Sequence, residues 1–270
     1  MISIGKVWDR TTEVIAGRFA ILAAIALLLL FVPPVVQAAI DATAGTSPAM
    51  KFVSTVVGLF VFAMAILGAL ALTAVATDPA VDQQAALAIG GARIGPMLGI
   101  IIVMGLVFFA AVMPGILLIG TSGFDVSRAQ AGLSQDALNV GRFGLATVYF
   151  LVLTVVGLWL AARLVPLMGV VVNERLRLGA IRRSFALSRG STLKLIGVLI
   201  LYSIVFLVVL IAAVSIVGLI ARLIFGSDAA GAVAFVVALA TAAVTAVFSV
   251  LQSVYSAQFY VAARDARGAA

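Results

Sequence analysis

At 270 residues, with 64% hydrophobic and 10% charged side chains and a mean hydropathy of +1.30, the chain falls outside the range of water-soluble domains. Cysteine and histidine are absent, which excludes disulfides, thiolate chemistry, imidazole bases and any Cys/His metal site. The formal charge is +7, but most of the seventeen basic residues flank hydrophobic runs and form no soluble basic face. Anionic lipid, not nucleic acid, is the expected partner, and no cofactor is expected.

The expected fold is all-α: one polytopic membrane helix bundle with six spans. Lipid offers no partners to backbone groups, so each span needs about 20 apolar residues in a helix. Residues 4–18, "IGKVWDRTTEVIAGR", read as an amphipathic helix lying in the interface. The first span follows at 19–40. Its apolar run and "PPVVQA" also resemble a secretory segment cleaved after Ala38, but Asp9, Glu13 and the long leading segment favour an uncleaved helix kinked at Pro33-Pro34.

The second span is expected at 52–77. A second interfacial helix is expected at 82–93, "DQQAALAIGGAR", before the third span at 94–120. Gly91, Gly95 and Gly99 open that span with a small-residue face of the kind that lets helices approach closely. The longest loop, about 121–142, leaves no room for a soluble catalytic domain between spans. The fourth span, 143–171, holds Arg163, the one charge well inside a span. A basic side chain at that depth either anchors the helix, stacked on Trp159 and reaching for the headgroups, or belongs to a ligand site. Pro166 should loosen the same helix and leave carbonyls in need of donors.

Residues 174–189 read as the third interfacial helix. Arg175, Arg182 and Arg189 recur every seven positions beside Leu178, Ile181 and Phe185, so a basic stripe flanks an apolar one. With Arg177, Arg183 and Lys194 they make a candidate surface for anionic headgroups or a partner, although basic residues at such places also serve simply to set topology. Ser184, Ser188 and Ser191 beside them are open to reading as phosphorylation sites or as ordinary polar residues at a helix end. The fifth span is expected at 195–219 and the sixth at 231–263. The sixth carries an alanine stripe (Ala234, Ala238, Ala242, Ala246) and a polar line of Thr241, Thr245, Ser249 and Ser253 with Gln252 nearby. These serve either interhelical packing or a polar cavity.

Six spans put the amino terminus, the second and fourth loops and the carboxyl tail on one side. That side carries twelve Lys/Arg against four on the other, so both termini are expected in the cytoplasm. Three amphipathic segments each precede a pair of spans. Gly99, Ile102, Val107, Phe108 and Gly120 match Gly197, Ile200, Val205, Phe206 and Gly218 at a constant offset of 98. Both features suggest a threefold hairpin repeat.

The run from Ala162 to Leu199, "ARLVPLMGVVVNERLRLGAIRRSFALSRGSTLKLIGVL", resembles the membrane-domain family named after glycerophosphoryl diester phosphodiesterases, and related bacterial six-helix inner-membrane proteins. The matching residues are Arg163, Pro166, Glu174, Arg183 with Ser184, and Leu187 to Gly190, with Ser188 where the family commonly has Thr. Both ends of the chain also look similar to the family's, although Ala262 stands where the family often has an acid. The resemblance implies a multi-pass bacterial inner-membrane module, sometimes fused to a catalytic domain that is not expected in these residues. It transfers no activity, because a chain without histidine cannot rebuild that domain's acid–base chemistry.

No Asp or Glu falls inside a span as drawn and no Walker-type loop is present, which argues against ion coupling and ATP-driven transport. The functional expectation is a non-enzymatic membrane protein that binds anionic lipid, or an unidentified membrane-protein partner, through its basic amphipathic helix and supports envelope homeostasis. The alternative is a lipid or small-amphiphile transporter, for glycerophosphodiester or phospholipid headgroups, working through Arg163 and the polar line of the sixth span.

Overall fold

The computed structural model describes residues 3–44, 47–132, 134, 137–226 and 229–268, and every regular element among them is helical. Six stretches are long and apolar enough to cross a membrane: Phe19–Ala42, Pro48–Thr77, Gln83–Gly120, Val140–Asn173, Thr192–Phe225 and Ala230–Arg267. The chain is an all-α polytopic helix bundle, as its hydropathy dictates.

Helix α1 (Ile4–Gly17) starts at Ser3, whose hydroxyl accepts the Lys6 N–H, and buries Val7 and Thr11. A break at Arg18 turns the chain into α2 (Phe19–Ala26). One π-helical turn, Leu27–Phe31, then leads into α3 (Val32–Ala44). Pro33 and Pro34 explain this irregularity. Neither has an N–H, so the Leu29 carbonyl has no donor in its own helix at either the α or the π spacing. Helix α4 (Pro48–Thr77) runs back to the first side and turns through 78–82 into α5 (Gln83–Gly120), capped by Asp82 accepting the Ala85 N–H at 2.8 Å.

Helix α5 departs from expectation. No separate interfacial helix exists at 82–93; those residues are the first turns of a single helix of 38 residues, about 57 Å long at 1.5 Å per residue. The reason is packing. Ala86 and Gly90 are buried, and a Cβ on Gly90 would lie 3.0 Å from Leu67 Cδ1 and 3.2 Å from the Leu67 carbonyl oxygen, so these turns are locked along α4. The small-residue face at Gly91, Gly95 and Gly99, expected to pack closely, has no close neighbour among the described residues: nothing stands within 4 Å of the Cβ position of any of the three.

A short α6 (Val126–Gln130) lies in the long loop before α7 (Val140–Leu164). The fourth span breaks at Val165 and Pro166 and resumes as α8 (Leu167–Asn173). Helix α9 (Gly179–Leu187) is shorter than the expected 174–189 and is followed by α10 (Thr192–Phe225) and α11 (Ala230–Gly268). Of the three supposed repeat units, the first and third therefore have a break between amphipathic segment and span, while the middle one runs straight through.

The buried core gathers at the end of the bundle that holds both termini. It joins Val7, Leu22 and Ile25 to Leu70–Val75 of α4, Val170 and Val171 of α8, Leu187 of α9 and Phe259 and Tyr260 of α11. Toward the other end the helices turn large apolar side chains outward, among them Leu106, Phe108, Leu151 and Leu223. Such a surface is tolerated in hydrocarbon but not in water.

Three polar links close the packed end. The Arg18 guanidinium donates to the carbonyls of Val75 at 2.7 Å and Asp78 at 2.9 Å, and to that of Val81, so it caps the last turn of α4 and the loop beyond. The buried Gln258 amide donates to the Ala76 carbonyl at 2.6 Å. Asn173 donates to the Gly169 carbonyl at 2.9 Å and accepts from the Thr77 hydroxyl at 3.3 Å.

Candidate functional site

The break in the fourth span organises the basic end. Pro166 cannot donate, and the two carbonyls flanking the kink take side-chain donors from other helices. The Arg163 carbonyl accepts the Ser184 hydroxyl at 2.8 Å and the Ser188 hydroxyl at 3.3 Å, both from the region of α9. The Val165 carbonyl accepts the Ser256 hydroxyl from α11. Sequence reasoning foresaw orphan carbonyls here but not the donors; the signal was the Ser184/Ser188 pair at helical spacing, a pair also open to reading as phosphorylation sites. Both serines are fully buried.

Arg163 itself points into this joint. Its Nη1 donates to the Phe185 carbonyl at 3.0 Å, and its guanidinium lies 5.3 Å from the Trp159 ring centroid and 6.0 Å from that of Phe185. The two rings meet edge to face at 5.8 Å. The cation is therefore held by a carbonyl and two aromatic faces, which favours the anchoring role over the ligand role. It does not join the polar line of the sixth span.

Helix α9 lies against α7, α8 and α11. Its buried face is Ala180, Ser184 and Leu187, not the Leu178–Ile181–Phe185 stripe that the spacing suggested. Leu178 is exposed and Phe185 covers Arg163. Small residues win this face because the reciprocal bonds to Arg163 demand close approach.

Two more links hold the segment. Glu174, just past α8, accepts both contacts from Arg183 Nε, at 2.8 and 3.1 Å, and accepts the Tyr260 hydroxyl at 3.3 Å. Arg267 near the end of α11 donates to the Ala186 carbonyl. Arg175 takes the left-handed conformation, φ 56°, that swings the chain from α8 toward α9.

The six basic candidates thus separate. Arg183 is occupied by Glu174. Arg175, Arg177, Arg182, Arg189 and Lys194 are exposed, and none of their side chains has a hydrogen-bond or ion-pair partner among the described residues. Only Arg182 of these five lies in α9; Arg175 and Arg177 precede it, Arg189 follows it and Lys194 is in the first turn of α10, so the exposed basic groups are spread over residues 175–194, a segment tied to the bundle at Ser184 and Ala186.

The polar line of the sixth span is only partly one site. Thr241 donates back to the Val237 carbonyl at 2.9 Å. Thr241 and Thr245 line a groove of about 460 Å³ together with Ala234, Val237, Ala238 and Ala242 of α11 and Leu30 and Pro34 of the first span. Gln252 faces α10 instead, where its carbonyl oxygen and the Phe248 carbonyl receive the Tyr202 hydroxyl at 3.4 and 2.9 Å. Ser249 and Ser253 do not line the groove. The kinked first span, which no periodicity argument singled out, supplies the other wall.

Compared with protein-family models, with curated proteins and with solved structures, the chain finds no match in any of the three.

Proposed function

We propose that this is a non-enzymatic multi-pass membrane protein that binds anionic phospholipid headgroups through the exposed basic residues in and around α9, and that it works in the bacterial inner membrane with both termini in the cytoplasm. The observation that carries the reading is the set of Arg175, Arg177, Arg182, Arg189 and Lys194, exposed and without side-chain partners among the described residues, in and around α9, a segment tied to the fourth and sixth spans. Each basic group near an anionic leaflet contributes about 1 kcal/mol, and a segment tied to the bundle loses less backbone entropy on binding than a flexible tail. The twelve-to-four distribution of basic residues supports the cytoplasmic placement, and the resemblance in residues 162–199 supports the bacterial inner membrane. A role in envelope homeostasis accords with such a lipid-engaging module, and an unidentified membrane protein with an acidic surface is the other partner this cluster suits.

The test is retention of lipid by the purified chain, read by native mass spectrometry, for the parent and for an Arg175/Arg182/Arg189→Glu variant. Selective retention of phosphatidylglycerol by the parent and its loss in a folded variant support the reading. Equal retention by both overturns it and leaves topology as the main role of these arginines.

The groove between the first and sixth spans favours a second reading, movement of a lipid or small amphiphile. Its walls are mostly apolar with two threonine hydroxyls, the composition of a small-ligand site. Liposomes showing no flux of labelled phospholipid or glycerophosphodiester would remove it. Arg163 has no part in that version, since its guanidinium is engaged at the α9 joint.

A further inference from the structure

Arg93 is in α5, three residues after Gly90 and four before Met97, both buried, so its side chain leaves the helix on the face that packs into the bundle. Its Nε is sealed from solvent and has no hydrogen-bond partner among the described residues, and no ion pair involves it. The helices that pack along α5 are α4, α7 and α8. None of them, nor α5 itself, contains an Asp or Glu.

The acids that cap α4, α5 and α8 are already engaged. Asp78 accepts the Ala80 N–H at 2.8 Å, Asp82 caps α5, and Glu174 holds Arg183 and Tyr260. A half-buried cation without a counter-charge is costly, and removing a partner from such a group costs several kcal/mol. Only Nε is sealed in this way, so the Nη atoms are left open to an anion from outside the chain. Arg93 stands at the packed, basic end, directly before the apolar run that begins at Ile94, which is where a bilayer places its phosphates.

We propose that Arg93 binds the phosphodiester of a membrane phospholipid, at a site separate from the basic residues in and around α9. The two differ in what they recognise. A phosphodiester is common to zwitterionic and anionic phospholipids, so Arg93 takes either, whereas the basic residues in and around α9 require net negative charge. The guanidinium offers the planar pair of donors that matches phosphate oxygens.

The test uses the full chain, stripped of lipid in a non-ionic detergent, with thermal unfolding and native mass spectrometry as readouts. Phosphatidylcholine should raise the melting temperature of the parent and remain bound to it, and Arg93→Gln should lose both effects. Without lipid, Arg93→Gln should melt no lower than the parent, because it removes an uncompensated charge. Arg93→Lys should hold phosphatidylcholine more weakly than the parent at equal lipid-free stability, and it serves as the readout if the glutamine variant does not fold.

The Arg175/Arg182/Arg189→Glu variant should keep the phosphatidylcholine effect while losing selectivity for phosphatidylglycerol, so each proposal fails separately. The inference is overturned if Arg93→Gln retains phosphatidylcholine like the parent, or melts well below it without lipid, which would reveal an internal partner. It is equally overturned if inorganic phosphate stabilises the parent and phosphatidylcholine does not.

Discussion

The Ser184 hydroxyl donates to the Arg163 carbonyl at 2.8 Å, which fastens the basic helix α9 to the break in the fourth span. Arg163 answers in the other direction, through its guanidinium, to the Phe185 carbonyl. The joint makes α9 part of the bundle's packed end, and it is open to test. Ser184→Ala leaves the Arg163 carbonyl with only the longer contact to Ser188, itself fully buried. A loss of about 1–2 kcal/mol is expected, seen as a lower melting temperature with helix content unchanged at room temperature.

Gly169 and Tyr260 make a steric prediction. A Cβ on Gly169 would collide with Tyr260 Cγ and lie 2.6 Å from its Cβ, and the ring is fully buried. Gly169→Ala should destabilise by about 1–3 kcal/mol or more through overpacking. Gly157→Ala is the control: nothing stands within 4 Å of its Cβ position, so the variant should be neutral or, by helix propensity, more stable by up to about 1 kcal/mol. Equal effects of the two on thermal unfolding would contradict the packing of α8 on α11.

Arg18→Ala removes donors from three carbonyls at once, those of Val75, Asp78 and Val81. The site is only partly buried and water replaces some of these bonds, so a loss of about 2 kcal/mol is expected, with faster proteolysis in the loop around residues 78–82. Arg18→Lys should restore part of it, since an ammonium reaches fewer of the three acceptors.

Arg182 and Arg183 are neighbours in sequence with opposite expected behaviour. Arg182 is exposed and without a partner among the described residues, while Arg183 is bound to Glu174. Arg182→Gln should weaken retention on phosphatidylglycerol vesicles and leave stability unchanged. Arg183→Gln should do the reverse, lowering stability by up to about 1 kcal/mol, as befits a partly exposed pair. Retention should also fall steeply as salt rises from about 0.1 to 1 M, because the screening length shrinks from about 10 to 3 Å.

In the loop between the third and fourth spans, the hydrogen bond from the Ser127 hydroxyl holds the Asp125 carboxyl below its ordinary pKa, helped by the Arg128 backbone N–H. A carboxyl depressed in the folded state supports the structure above its unfolded pKa and loses that support as pH falls through the lower folded value. Helix α6 should therefore stay capped through mildly acidic pH and fray only below the usual carboxylate range, and Asp125→Ala should fray it at neutral pH. The Ser127 amide chemical shift, followed by NMR against pH, reports both.

How much was legible beforehand varies with the range of the interaction. The carbonyls freed by Pro166 and the stacking of Trp159 on Arg163 follow from residues within a turn of each other, and both were readable. The separate helix at 82–93 was not, because an amphipathic pattern looks the same whether its apolar side meets a bilayer surface or α4; the fit of Gly90 against Leu67 decided it. Nor does heptad spacing tell that Arg183 faces Glu174 while Arg182 does not.

What the sequence determined by itself is therefore local: six apolar helices, an all-α membrane bundle, the side richer in Lys and Arg, and the exclusion of thiol and imidazole chemistry. Each follows from composition or from the needs of a single helix in lipid. Only the tertiary structure decided which basic residues are occupied, where the first span kinks beside the sixth to form a groove, and that the Gly91–Gly95–Gly99 face stays uncovered. Those outcomes depend on pairings between helices distant in the chain, such as Ser184 with Arg163, Tyr260 with Glu174 and Arg18 with Val75, and helical periodicity carries no information about which helix lies opposite.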